Sequence, residues 1–251
     1  MMRICRIGCV SILSLIMTVS VFGQTRSPAA DADKAFNTFQ YMLAAEMYKK
    51  AYPKIKRNPV EKRRVMFRMA ECYYMTGSLK KAKQQYLKLE KMNYQKDNPL
   101  ILLRLADIYR IEKDYPTALK YYERYKQAKP EDPRVDGRIE ACKVAPEWIN
   151  NPTRHEVENF KRFNTPQSDW SPAWSVPNKQ NEIIFTSSRE GSTGKKEDAW
   201  SGQSFSDLYI SKKPKSKNIT FPGEWTTPEL FDNEGVVNSD ANEGVASFNP
   251  K

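Results

Sequence analysis

Apolar and small residues recur at long, regular intervals in the first half of the chain. Ala32, Ala70 and Ala106 are each followed twelve residues later by another alanine (Ala44, Ala82, Ala118), and four residues after that by a tyrosine (Tyr48, Tyr86, Tyr122). The three copies are offset by 38 and then 36 residues, and Tyr73 and Tyr109 stand three residues after the first alanine of the second and third copies. Small residues at a helix crossing let two backbones approach, and a tyrosine fills the space toward the next pair. The spacing therefore predicts three helical hairpins ending near Pro130, where a helix must stop. Turn residues fall between the helices of a pair, at Gly77-Ser78 and Lys113-Asp114. The first copy departs from the pattern: 31–38 predicts a short helix with Ala35 where the tyrosine is expected. Residues 134–144 predict a helix that caps the last exposed face.

After Pro146 the Lys/Ala/Leu pattern gives way to Trp, Asn, Pro, Ser and Thr with short β-branched runs, which places a boundary at 148–152. Residues 157–163 alternate as one strand, followed by 168–175, a turn at Asn178-Lys179, and a strand over 182–189. A polar, glycine-containing loop over 190–206 leads to a further strand, 207–211. The order is that of a β-meander, with Trp225, Pro228 and Leu230 forming an outer strand. The long loop reads as a surface insertion.

The chain has 251 residues, and its first 23 carry Arg3 and Arg6, an apolar run over 7–22 and then Val21-Phe22-Gly23. That is the order of a secretory signal peptide. The run is short and Ser/Thr-interrupted against the ~20 apolar residues of a membrane span, so an uncleaved anchor is the alternative reading. A lipoprotein reading at Cys9 fails because the apolar run follows that cysteine.

Removing 1–23 leaves Cys72, Cys142 and His155 as the mature cysteines and histidine. A His/Cys zinc site, which takes three or four protein ligands, is excluded on that count, and no cofactor is implied. His155 is the only imidazole available to a serine hydrolase, no G-x-S-x-G occurs, and Gly191-Ser192-Thr193-Gly194 has the wrong spacing. Cys72 and Cys142 read as buried small apolar side chains a repeat apart, with pairing as the alternative in an oxidising compartment.

Net charge sharpens the division. Residues 24–152 hold 27 Lys+Arg against 16 Asp+Glu, whereas 153–251 hold 12 against 14. Basic runs such as Lys49-Lys50, Lys54-Ile55-Lys56-Arg57 and Lys62-Arg63-Arg64 belong to the helical half. In an exported chain they face acidic protein surfaces or anionic polymers rather than nucleic acid; a solvated face without a specific partner is the other reading.

Met69-Ala70, Tyr73, Ala82 and Tyr86 in the second copy, and Leu105-Ala106, Tyr109, Ala118, Tyr122 and Pro130 in the third, resemble the tetratricopeptide repeat. The resemblance implies an α-solenoid over 24–145 whose first helices line a concave groove for an extended peptide or partner helix. It places Arg64, Phe67, Glu71, Tyr74 and Met75 there from the second copy, and Leu100, Leu103, Asp107, Arg110 and Ile111 from the third.

The string SPAWSVPNKQNEIIFTSSREG is similar to the blade signature of TolB-type, WD40-like β-propellers, with Val176-Pro177 in place of the usual tight turn. The motif restarts over 242–251, where Phe248 stands 74 residues after Trp174. The implied fold class is α then β: a repeat solenoid, a linker with a possible propeller-closing strand over 146–166, and over 167–251 one blade and the start of a second.

This order of parts resembles the OmpA-family envelope proteins of bacteria that use type IX secretion. The resemblance implies a non-enzymatic, periplasmic, outer-membrane-associated scaffold whose groove holds envelope or secretion-system proteins. Peptidoglycan would be reached only through a C-terminal domain not found in this sequence. A periplasmic chaperone and a propeller-gated peptidase are the alternatives. A propeller takes about 4 to 8 blades, so the chain reads as the N-terminal portion of a longer protein, with a helical half expected to fold alone.

Overall fold

A computed structural model of the chain describes residues 27–175, 180–213, 225–232 and 234–248. The leader with Cys5 and Cys9, the turn at 176–179 and residues 249–251 lie outside the described residues. Among the described residues seven α-helices precede a small antiparallel sheet, so the architecture is α then β.

The helices are α1 (Ala30–Asn37), α2 (Tyr41–Ala51), α3 (Pro59–Met75), α4 (Leu79–Lys91), α5 (Leu100–Ile111), α6 (Tyr115–Ala128) and α7 (Arg134–Asn150). They pack as three hairpins, α1–α2, α3–α4 and α5–α6, with α7 against α6. Two helices begin with caps written in the sequence. The Asn58 side chain accepts from the Glu61 N–H at 3.0 Å and Pro59 opens α3; the Asp114 side chain accepts from Thr117 N–H at 3.2 Å and Pro116 follows. Each hairpin turn passes through one left-handed residue, Phe39 (φ 61°), Gly77 (φ 72°) and Lys113 (φ 65°), at the same 38- and 36-residue offsets as the alanines. Only Gly77 adopts that conformation without a Cβ penalty.

Ala44, Ala82 and Ala118 are fully buried, as are Tyr48, Tyr86 and Tyr122. Each alanine sits in its own core cluster, with Val65 and Met69 in the first, Ile101, Leu105 and Ile108 in the second, and Leu103 and Val135 in the third. Fully burying one such Ile, Leu or Val side chain contributes about 1.5–3 kcal/mol. Cys72 and Cys142 are free, buried and in different clusters, and burial pushes the Cys72 thiol up to about 12.

Two expectations about the connection between the halves are corrected. The capping helix does not stop at 144: α7 continues to Asn150 with Pro146 inside it, although that proline has no N–H to give the Cys142 carbonyl. The strand expected over 157–163 does not form. Val157 is 93% exposed, and 161–163 is a turn closed by the Phe163 N–H donating to the Phe160 carbonyl at 2.9 Å. The turn brings Phe160 and Phe163 edge to face at 4.4 Å, whereas strand alternation would put residues three apart on opposite faces.

The sheet order is β1-β2-β3-β4, with β1 at Asp169–Trp174, β2 at Glu182–Ser187, β3 at Asp207–Lys212 and β4 at Glu229–Leu230. Central register pairs are Ile184 with Ile210 and Phe185 with Tyr209. Phe185 and Tyr209 face a cluster with Phe163 and Trp225; Ile184, Leu208 and Ile210 face Ala246 and Phe248 on the other side. Trp225 is therefore part of a core rather than of the outer strand, which is only two residues long. β1 is irregular between Trp170 and Ala173, with Ser171 at φ 52° and Pro172 beside it, features that blunt an edge strand.

Candidate partner-binding surface

One acidic residue on the first helix of each hairpin anchors a three-residue clasp. Asp33 accepts from the Tyr48 hydroxyl at 2.6 Å and from both terminal nitrogens of Arg64 at 2.8 Å. Glu71 accepts from the Tyr86 hydroxyl and from Arg104 at 3.0 and 2.9 Å. Asp107 accepts from the Tyr122 hydroxyl at 2.6 Å and from Arg138 at 2.7 Å on both oxygens. In each clasp the tyrosine lies 15 residues after the acid and comes from the second helix of the same hairpin, while the arginine comes from the first helix of the next. The clasps thus join three helices each, and α7 supplies the last arginine in place of a fourth hairpin.

The electrostatics follow from burial among opposite charges. Burial raises the Asp33 carboxyl, but hydrogen bonds from Arg64 and Tyr48 outweigh it and leave the group below its ordinary value. Glu61 is lowered chiefly by its bond to Arg64 at 2.7 Å. Burial first, and then the neighbouring acid, push the hydroxyls of Tyr48, Tyr86 and Tyr122 up. Asp33 and Glu61 have folded values below the unfolded ones, so their stabilisation is present above the unfolded value and lost as pH falls through the folded one. Urea midpoints read on α1–α4 should hold steady above about pH 5 and fall progressively as pH drops below it. Asp207 in the sheet has the opposite sign: burial, and then Glu243, raise it, so its contribution is present at low pH and lost as pH rises through its folded value.

The clasps change what the predicted groove residues do. Glu71 and Asp107 are buried and fully engaged, Leu103 is inaccessible, and Phe67 packs between Tyr86 and Tyr94. These four hold the array together and cannot line an open groove. Arg64 is tied to Asp33 and Glu61. Tyr74 donates to Asp107 at 3.1 Å with the Arg104 guanidinium 4.3 Å over its ring, and Leu100 is half-buried between two core clusters. Met75 and Ile111 are exposed, and the half-buried Arg110 donates through Nε to the Tyr122 hydroxyl at 3.2 Å. Asp33, Arg104 and Arg138 had no place in the sequence reading. The acids' offsets of 38 and 36 residues, identical to those of the alanines, were the available signal.

Among the described residues, the concavities elsewhere include two with contrasting linings. A cavity of about 300 Å³ on the sheet face is lined by Phe163, Trp170, Trp174, Ile183, Phe185 and Trp225, with Trp174 stacked on Trp225 at 6.0 Å. A cleft of about 550 Å³ beside α3 carries Lys54, Lys56, Arg57 and Arg64. Among the described residues no three of His, Cys, Asp and Glu stand close enough to hold a metal ion, and no helix is long and apolar enough to cross a membrane.

No family model matches the chain, and no curated protein matches it.

Proposed function

We propose that the helical array is a tetratricopeptide-type solenoid, that the sheet opens a TolB-type propeller, and that the chain is a non-enzymatic scaffold of a bacterial outer envelope. In this reading it is exported to the periplasm, holds an envelope or secretion-system protein on its helical array, and reaches peptidoglycan through a further domain. The observation that carries the reading is the acid–tyrosine pair recurring at one register in successive hairpins, each acid also held by an arginine of the next helix pair or of α7. A stack joined in this way holds its first helices in a fixed row, and Met75, Arg110 and Ile111 are side chains of that row that solvent reaches. A row that exposes two apolar side chains and one cation suits a segment that presents apolar residues and a carboxylate.

The test is capture from a bacterial envelope extract by the intact chain and by a Met75→Ala/Arg110→Gln/Ile111→Ala variant. The glutamine amide keeps a donor toward Tyr122 while removing the charge, so the melting curve should be unchanged. Retained secretion-complex subunits should fall by about tenfold or more, the loss of one hot-spot cluster. Indiscriminate capture of unfolded chains would favour a chaperone instead, and equal capture by both proteins would remove the row from the interface.

A further inference from the structure

The first hairpin is the least self-sufficient of the three. α1 has eight residues, and neither α1 nor α2 receives a side-chain cap: Gln40, which precedes α2, makes no such bond. The first N–H groups of a helix have no intrahelical partner and must find one elsewhere. For α2 the partner comes from the far half of the chain. Residues 197–204 form a small hairpin closed by the Glu197–Ser204 bridge, with the Asp198 side chain accepting from Ser201 N–H at 2.8 Å. The tip of that hairpin aims its carbonyls at the start of α2. Met42 N–H donates to the carbonyls of Ala199 and Trp200, both at 3.2 Å, and Leu43 N–H donates to that of Ala199 at 3.4 Å.

Side chains seal the contact. The Trp200 ring meets Tyr41 edge to face at 5.3 Å and Phe39 at 6.4 Å. Gly202, at φ +70°, lies against Met42; a Cβ there would stand 2.6 Å from Met42 Cγ. Among the described residues these are the backbone hydrogen bonds that cross between the helices and the β region, and the connector over 151–159 is exposed without regular structure. The contact is also light, since Trp200 is 48% and Phe39 59% exposed.

We infer that the 197–204 hairpin is a latch. Closed, it serves as the missing N-cap of α2 and ties the sheet to the first helical hairpin; open, it frays α2 and leaves the sheet hanging on the connector, with both hydrophobic cores intact. The expectation that the helical half folds independently of the β half then fails for α1–α2 alone.

The test uses the full chain and two variants, Trp200→Ala and Gly202→Val. Amide hydrogen exchange at Met42 and Leu43 should quicken by roughly tenfold or more in both, while the amides of α5 and α6 keep their protection. Small-angle scattering should show a larger, broader particle. Trp200→Ala removes only a half-exposed ring, so it carries the test where Gly202→Val fails to fold. The latch is overturned if Met42 and Leu43 exchange as fast in the unaltered chain as in the variants, or if Trp200→Ala keeps both protection and compactness.

Discussion

Arginine in place of Ala118 is expected to unfold the third hairpin. Ala118 is fully buried where α6 crosses α5, in a cluster with Leu103, Ala106, Tyr122 and Val135. Overpacking such a site costs about 1–3 kcal/mol, and burying an unpaired guanidinium adds several more. The sum rivals the roughly 5–15 kcal/mol that holds an ordinary domain together. Because α7 rests on α6, the loss should spread to α7. A circular-dichroism melt should show reduced helix content and a lost or much lowered transition, with Ala82→Arg behaving alike in the second hairpin. An unchanged melting temperature would place both alanines off the crossings.

The second large effect is expected from Asp107→Ala. Its carboxylate is 2% exposed and takes bonds from Tyr122, Arg138 and Tyr74. Removing it leaves a buried hydroxyl and a guanidinium without their acceptor. Breaking one partner of a buried ion pair costs about 3–5 kcal/mol, and the third-exposed Arg138 puts this case at the lower end. The urea midpoint of the array should fall accordingly. Asp107→Asn, which keeps an acceptor for Tyr122, should cost less, and Arg138→Met should lose little more when added to Asp107→Ala, since the two act as one unit. Additive losses would mean that α7 is held by its apolar face alone. At the other end of the array, Asp33→Ala should be milder, because Asp33 and Arg64 are both about a third exposed and Glu61 still engages the arginine.

The helical half was largely legible in advance, and the reason is periodicity. Buried alanines and tyrosines at fixed offsets leave few ways to pair helices, so the hairpins, their turns and the closing helix could be read from spacing. The site was less legible. Glu71 and Asp107 stand on the first helices as expected, but a spacing rule does not say whether an acid faces solvent or a tyrosine and an arginine more than thirty residues away. Phe67 and Leu103 were assigned to a groove on the same helices and prove to be core, because a buried helix has more than one apolar face.

In the β half the strands expected over 182–189 and 207–211 from their Ile, Phe and Tyr runs form at 182–187 and 207–212, while 157–163 did not become a strand. Val157 and Phe163, six residues apart, would share one face of a strand, whereas the cluster that Phe160 and Phe163 join, with Phe185 and Trp225, goes with the turn. The 190–206 loop carried no periodic signal at all. Its docking on α2 depends on backbone carbonyls meeting backbone N–H groups about 157 residues away, and every residue type carries a carbonyl.

By itself the sequence determined what repeats: the helical hairpins, the turns of the second and third, the alanine–tyrosine register and the passage from helix to strand. These follow from local spacing and from the size of a side chain at a crossing. Tertiary structure alone decided which charges pair, which predicted groove residues are core, and how the sheet is fastened to the first hairpin. Those choices depend on which distant groups share one buried space, where desolvation makes each polar group take a partner.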